Sequence, residues 1–173
     1  MRTLALDPSS TIIGYAIFDD RRYLAEFGLL KPDPGFGTPL RRVQSMRKYL
    51  LELLAEAKPD AVVVEAMIGK QFTRKFGRAT ALPLCGWAMG VVYGTVLGYA
   101  AGLASDQPRC TVAVADNQQW TRGKSKDDRQ AATAMQFPQY DASRDPGGDM
   151  ADAIEMGLWW LTAVERQEAI ERA

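Results

Sequence analysis

The amino-acid sequence predicts an α/β fold: a mixed five-stranded sheet, made of an antiparallel meander and parallel strands, flanked by helices. Three apolar runs separated by short turns open the chain, which is the pattern of an antiparallel meander. Two continuous β-branched runs follow among helical patterns, and such runs are typical of buried parallel strands. The length of 173 residues suits one sizeable core, so we expect a single domain over residues 1–173.

The first elements are the three strands of the meander and one helix. The strands are predicted at residues 3–6, 12–18 and 23–30. Thr38 followed by Pro39 predicts a helix start, because threonine caps free amides and proline fits the first helical turn. Apolar residues then recur at helical spacing as far as Ala57, so the sequence predicts an amphipathic helix there.

The second half of the chain is predicted to supply the parallel strands and two further helices. The strands are residues 61–64, which end at Glu65, and residues 111–114. A helix is predicted over 125–135, and a Gly/Pro/Asp loop, 141–148, leads into the last helix. The apolar side of that last helix carries Ala153, Ile154, Gly157, Leu158, Leu161 and Val164.

A long uncharged segment, residues 79–105, lies between the two parallel strands. Its length and polarity admit a membrane-spanning helix, which is the alternative interpretation. Glycines at every fourth position would let another helix approach closely; they are Gly86, Gly90, Gly94, Gly98 and Gly102. Pro83 interrupts the segment, and a span would place the acidic residues described below on opposite sides of a membrane. We therefore predict a buried helix packed across a dimer interface, and no membrane contact.

The composition excludes several classes of chemistry. The chain has no histidine, so Ser-His-Asp and Cys-His catalysis and His-ligated zinc are excluded. The two cysteines, Cys85 and Cys110, lack CxxC spacing and are expected to be reduced thiols. The first residues enter a strand pattern without a signal-peptide cleavage region. These features predict a cytoplasmic protein whose chemistry depends on carboxylates, hydroxyls, lysines or a metal held by oxygen.

The net charge of zero hides an uneven distribution. Residues 66–105 hold four basic residues and no acidic one, and residues 117–140 also hold more bases than acids. The last segment, 141–173, carries eight acids against three bases. The basic stretches predict a surface that meets nucleic-acid phosphates, and a solvated charged face is the alternative.

Four carboxylates stand at the ends of predicted elements. Asp7 closes the first strand, Glu65 closes the first parallel strand, and Asp149 and Asp152 share one face of the last helix at i,i+3 spacing. Brought together, such groups repel one another unless cations lie between them, which favours Mg²⁺ or Mn²⁺. A pair of these ions can activate water and stabilise the leaving oxygen of a phosphodiester. Taken singly, each acid is more typical of a turn or a helix start than of a catalytic site.

Four motifs occur in a characteristic order. They are Leu4-Ala5-Leu6-Asp7-Pro8-Ser9-Ser10-Thr11-Ile12-Ile13-Gly14-Tyr15-Ala16, Val62-Val63-Val64-Glu65, Lys75-Phe76-Gly77-Arg78-Ala79 and Asp149-Met150-Ala151-Asp152-Ala153. In this order and spacing the set resembles the RuvC family of Holliday junction resolvases, within the ribonuclease H-like superfamily. The resemblance runs from residue 4 to about residue 160 and implies a ribonuclease H-like fold.

The resemblance also implies an activity. It makes Asp7, Glu65, Asp149 and Asp152 the metal-binding catalytic residues, with two Mg²⁺ ions per site, for which Mn²⁺ would substitute. It implies a homodimer that nicks opposed strands of a four-way DNA junction and leaves 5′-phosphate and 3′-hydroxyl ends. Lys124 or Lys126 would act near the scissile phosphate, and spacing does not choose between them.

Some residues depart from the family pattern. Ser9 and Ala16 stand where the cellular bacterial enzymes usually have glycine, which predicts a divergent, phage-type member acting in the bacterial cytoplasm. Ile68 stands where the family often has a phenylalanine that stacks on a junction base, so that role passes to Phe72. The full set of predicted DNA-binding residues is Lys70, Phe72, Arg74, Lys75, Arg78, Arg122, Lys124, Lys126 and Arg129.

Three other functions remain open from the sequence. A related nuclease could act on flaps, replication forks or RNA–DNA hybrids. The segment from Asp7 to Gly14 also resembles the phosphate loop of actin-type phosphotransferases, although that class needs two lobes and a longer chain. The glycine-rich segment would suit a membrane or interaction protein without enzymatic activity.

Overall fold

The structure is a computed structural model, and it describes residues 1–9, 11–20, 22–32, 35, 37–66, 81–102 and 109–172. The strands are β1 (Thr3–Pro8), β2 (Ile13–Asp19), β3 (Tyr23–Leu30), β4 (Ala61–Ala66) and β5 (Thr111–Asp116). The helices are α1 (Pro39–Ala57), α2 (Ala81–Gly102), α3 (Asn117–Thr121), α4 (Lys126–Gln136) and α5 (Asp149–Glu171), with a 3₁₀ turn at Ala142–Arg144.

The five strands form one mixed sheet in the order β3-β2-β1-β4-β5. The β1–β2 and β2–β3 pairs are antiparallel, whereas β4 runs parallel to both β1 and β5. The predicted meander and both predicted parallel strands are therefore confirmed. The parallel pairs place the carboxyl ends of β1, β4 and β5 at the same edge of the sheet.

Local signals set the helix boundaries. The Thr38 side chain accepts a hydrogen bond from the Arg41 amide, and Pro39 occupies the first turn of α1, as predicted. Ser125 caps α4 in a capping box with Asp128, in which each side chain accepts from the other residue's backbone amide. Capping residues of this kind replace the hydrogen bonds that the first turn of a helix lacks.

Helices cover both faces of the sheet, and the two cores follow the alternation of the strands. Leu4 and Leu6 of β1 pack in one core with residues of α1 and α2. Ala5 belongs to the other core, which is formed with α5. Because side chains alternate along a strand, Asp7 lies on the same face as Ala5, toward α5. The face that α5 covers is therefore the face that carries the acidic end of β1.

Residues 81–102 of the uncharged segment form the helix α2, as predicted, but the described part of the chain buries only one side of this helix. No helix in the described part of the chain has the length and hydropathy needed to cross a bilayer. One side of α2 is buried through Ala88, Val92 and Val96. The opposite side is exposed and uncharged; it carries Gly86, Trp87, Gly90, Gly94, Leu97 and Gly98. We call this side the glycine face.

Candidate active site

The two strand acids come together because their strands are adjacent and parallel. The β1–β4 register pairs Leu6 with Val64, so Asp7 and Glu65 occupy the next position on each strand. Both are only 6% exposed. Their side chains are close enough for a hydrogen bond between the two carboxyl groups. The predicted meeting of these two acids is present in the structure.

The two helix acids reach the same place from the first turn of α5. The N-cap of α5 is Gly148, which has a φ of 71°. The first amides are satisfied by Asp145, which is fully buried and accepts hydrogen bonds from the Met150 and Ala151 amides. Asp149 is therefore not the helix cap, and its carboxylate is left for the site.

Gly14 sets how closely α5 approaches the sheet. It pairs with Asp7 across the β1–β2 ladder. A Cβ atom at Gly14 would lie 2.0 Å from the backbone oxygen of Asp149. Only glycine leaves room for this contact, so it brings the first turn of α5 against the acidic end of β1.

Burial and the gathered charges raise the pKa of two acids in the cluster, Asp7 and Asp149. Burial, followed by the charge and hydrogen bond of Glu65, raises the pKa of Asp7 well above its usual value, and Asp152 and Asp149 add to the effect. Burial also raises the pKa of Asp149, although the nearby Lys126 ammonium opposes this. The cluster therefore favours bound protons or cations.

Lys126 supplies one positive charge to the cluster. Its Nζ lies 3.5 Å from Oδ1 of Asp149 and 3.4 Å from Oδ2 of Asp152, and it donates a hydrogen bond to the Gly147 carbonyl. Burial lowers the pKa of Lys126, but the surrounding carboxylates outweigh this and raise it. Lys124 instead lies 3.8 Å from Glu155. Of the two lysines that the sequence left open, Lys126 contacts the acidic cluster.

The position of Arg129 differs from the predicted DNA contact. Its side chain is only 7% exposed and forms a two-pronged ion pair with Asp152, at 2.6 Å from Nε to Oδ1 and 3.0 Å from Nη2 to Oδ2. Sequence reasoning placed Arg129 on a basic surface because it belongs to a run of bases. The rotation of α4 turns it inward instead.

Asn117 also contacts the site, although no sequence motif singled it out. It is the first residue of α3, directly after β5, and its Nδ2 donates a hydrogen bond to Oε1 of Glu65. The available signal was its place after a parallel strand, since the carboxyl ends of neighbouring parallel strands meet at one edge.

The predicted DNA-binding residues fall into two groups. Lys70, Phe72, Arg74, Lys75 and Arg78 lie outside the described residues. Arg122 is exposed and lines a groove of about 250 Å³ beside the site. The groove also contains Trp120, Lys124, Glu155, Leu158, Trp159, Thr162 and Arg166. A basic and aromatic groove therefore runs from the α3–α4 connection along α5.

The four carboxylates have the chemistry that a hard divalent ion prefers, but their present arrangement does not form a complete ion site. Among the residues that the structure describes, no three acids are placed to hold one ion. Lys126 and Arg129 instead lie against the carboxylates of α5. Carboxylate oxygens are the ligands that Mg²⁺ prefers, and the raised pKa of Asp7 shows that the cluster favours added positive charge.

Solved structures of resolvases have the same fold. Thermus thermophilus RuvC in complex with a Holliday junction substrate is similar over 91% of this chain and 90% of its own, with a TM-score of 0.67 and 19% identity. The fowlpox virus resolvase in its Holliday junction complex matches over 95% and 99%, with a TM-score of 0.57 and 13% identity. The yeast mitochondrial resolvase Ydc2 matches over 97% and 83%, with a TM-score of 0.57 and 10% identity.

No protein-family model and no curated protein matches the sequence. The structural matches, at these identities, establish the fold. The predicted fold class is confirmed: the sheet order and its flanking helices are those of a ribonuclease H-like fold that matches RuvC.

Proposed function

We propose that this protein is a structure-selective DNA endonuclease that resolves four-way junctions by paired, divalent-metal-dependent nicking, leaving 5′-phosphate and 3′-hydroxyl ends. The observation that carries the proposal is the convergence of Asp7, Glu65, Asp149 and Asp152 at one edge of a resolvase-like sheet. Two of the similar proteins were solved with Holliday junction DNA. The chain has no histidine, so a carboxylate-held metal is the natural source of hydrolytic chemistry.

The four carboxylates would hold Mg²⁺ or Mn²⁺, two ions per site. When bound, such ions activate water and stabilise the leaving oxygen of a phosphodiester. Asn117 fixes the orientation of Glu65 through its hydrogen bond. Lys126 holds positive charge against Asp149 and Asp152, and its half-exposed side chain can turn to a phosphate oxygen once their charge is balanced.

The paired cuts require two copies, and the glycine face of α2 is the surface we assign to their contact. Trp87 and Leu97 on this face are 44% and 43% exposed, so a partner that covers the face would bury two large apolar side chains. A Cβ atom at Gly90, Gly94 or Gly98 would meet nothing within 4 Å in the described part of the chain. A second copy of α2 could therefore approach closely, backbone against backbone.

DNA would be held by positive charges around the acidic edge. We propose that Lys70, Arg74, Lys75 and Arg78 meet backbone phosphates together with Arg122 and Lys124, and that Phe72 stacks on a junction base. Binding through several phosphates weakens steeply as salt rises, because each contact releases counterions. Binding of a labelled junction between about 50 and 200 mM salt measures this slope.

The central experiment compares DNA substrates and two substitutions. Wild type, Asp7→Asn and Lys126→Ala are incubated with labelled four-way junction, fork, flap, RNA–DNA hybrid and linear duplex. We expect Mg²⁺-dependent paired nicks in the junction and loss of cutting in Asp7→Asn.

Lys124→Ala is the matched control for Lys126→Ala, since both remove one lysine charge two residues apart. Removal of Lys126 should lower the nicking rate by about 100-fold, and removal of Lys124 by much less. Equal cutting of linear duplex, or cutting that survives both EDTA and Asp7→Asn, would contradict the proposal. Preferred cutting of flaps, forks or RNA–DNA hybrids would keep the nuclease and change its substrate.

A further inference from the structure

Arg129 is a buried cation with all of its guanidinium nitrogens engaged. Nε and Nη2 bind the two oxygens of Asp152, and Nη1 donates to the Lys124 carbonyl at 2.7 Å. The guanidinium carbon lies 5.2 Å from the centre of the Trp120 ring. These contacts connect the α3–α4 loop, α3, α4 and α5, so the guanidinium group is held in one position, unlike that of an exposed arginine.

The ion pair between Arg129 and Asp152 is unlike the contact that Lys126 makes with the same carboxylate. The Arg129 and Asp152 side chains are 7% and 5% exposed, whereas that of Lys126 is 43% exposed and lies more than 3 Å from each carboxylate. A buried arginine and carboxylate in two-pronged contact form a strong and directional pair, and breaking it by removing one partner is costly. Lys126 can leave the cluster, and Arg129 cannot do so without disrupting the interior.

We propose that Arg129 is a positioning residue that fixes the carboxylate of Asp152 and balances its charge, so that, in the absence of DNA, the negative charge that attracts a divalent ion to the cluster comes from Asp7, Glu65 and Asp149 and not from Asp152. This inference rests on the proposed function insofar as the site binds divalent ions. It means that Arg129 and Asp152 act on the ion as one neutral unit.

A double-mutant cycle on Mn²⁺ affinity tests this directly. Mn²⁺ is titrated calorimetrically into the 173-residue chain without DNA, for wild type, Arg129→Gln, Asp152→Asn and the double variant. Loss of the arginine charge should tighten binding by about tenfold or more, and loss of the aspartate charge should weaken it by a similar factor. The double variant should lie within about threefold of wild type, because a neutral pair is replaced by a neutral amide pair.

A second variant separates charge from geometry. Arg129→Lys keeps the positive charge but loses the planar two-pronged contact. We expect its Mn²⁺ affinity to stay within about threefold of wild type while junction nicking falls by about 100-fold, because Asp152 is no longer held in place. Thermal melting of each variant establishes that it folds. If Arg129→Gln does not fold, the double variant and Arg129→Lys still test the proposal.

The outcomes distinguish this inference from the proposed function. Weaker Mn²⁺ binding by folded Arg129→Gln, or a double variant as weak as Asp152→Asn, would overturn the inference while leaving junction cutting by wild type intact. A cycle that behaves as expected in a protein that cuts no DNA would support the inference and refute the proposed nuclease. Junction nicking by Arg129→Lys at the wild-type rate would show that Arg129 does not position Asp152.

Discussion

Substitution of Gly14 by alanine tests whether the close approach of α5 to β2 positions the acidic site. The added Cβ would lie 2.0 Å from the Asp149 oxygen, and ordinary contact begins at 3.4 Å, so the two backbones must separate by about 1.4 Å. Overpacking of this kind costs about 1–3 kcal/mol, which alanine's lower entropy loss offsets by about 0.5–1 kcal/mol. The displaced atoms belong to the residue that carries one of the four carboxylates.

We therefore expect two effects of Gly14→Ala. The melting temperature should fall by a few degrees, since about 1 kcal/mol corresponds to about 2–4 °C in a chain of this size. Junction nicking should fall by about 100-fold, because a displacement of about 1 Å at a catalytic group has that effect. Differential scanning fluorimetry and single-turnover nicking under saturating Mg²⁺ measure the two quantities.

Gly157→Ala is the matched control, because it also overpacks α5 against the sheet but more than one turn beyond the acids. Its Cβ would lie 2.4 Å from a ring carbon of Phe18, a side chain rather than backbone. We expect a loss of stability with a nicking rate near that of wild type. The reasoning is refuted if Gly14→Ala nicks at the wild-type rate, or if the two variants lose the same fraction of their rate.

Three further substitutions test the charge, the helix start and the exposed face. Without divalent ions, Asp7→Asn should melt at a higher temperature than wild type near neutral pH. The pKa of Asp7 is raised in the folded protein, so wild type loses stability as pH rises from about 4 toward that pKa. Melting in EDTA from about pH 4 to 8 measures this, and a difference in melting temperature that does not close toward pH 4 contradicts it. Asp145→Ala should lower the free energy of unfolding, measured in urea, by about 3 kcal/mol or more, since a hydroxyl and two helix amides lose their acceptor. Its control, Asp141→Ala at an exposed turn, should lower that free energy by less than about 1 kcal/mol. Gly94→Ala should stabilise the monomer by about 1 kcal/mol and weaken self-association in light scattering, because its Cβ is unopposed within one chain; unchanged association would remove the glycine face from the interface.

The strands and their acids could be predicted because their determinants are local or nearly so. The β-branched run that ends at Glu65 is typical of a strand that is covered on both faces. Alternation then places Asp7 and Glu65 on one face, and parallel pairing places them at one edge. The Thr38–Pro39 start of α1 was equally visible, because a helix cap involves residues within one turn.

The inward contacts of the site could not be predicted, because they depend on how helices rotate against each other. Lys124 and Lys126 are two residues apart, and only the start of α4 at Lys126 directs that side chain to the acids of α5. Arg129 is one turn further along α4 and is buried by the same packing. A run of basic residues in sequence carries no information about which of them faces the interior.

The sequence by itself therefore determined the order of the strands and of the longer helices, the mixed sheet and the four carboxylates with their chemical preference for hard cations. Those features follow from periodicity, from capping and from the residue types at strand ends. The tertiary structure alone decided which groups accompany the carboxylates: the half-exposed Lys126, the buried Arg129, and Asn117, whose amide donates to Glu65. The physical reason is that charge balance in a buried site depends on distances of a few ångströms between separate elements, and such distances are set only when the helices pack.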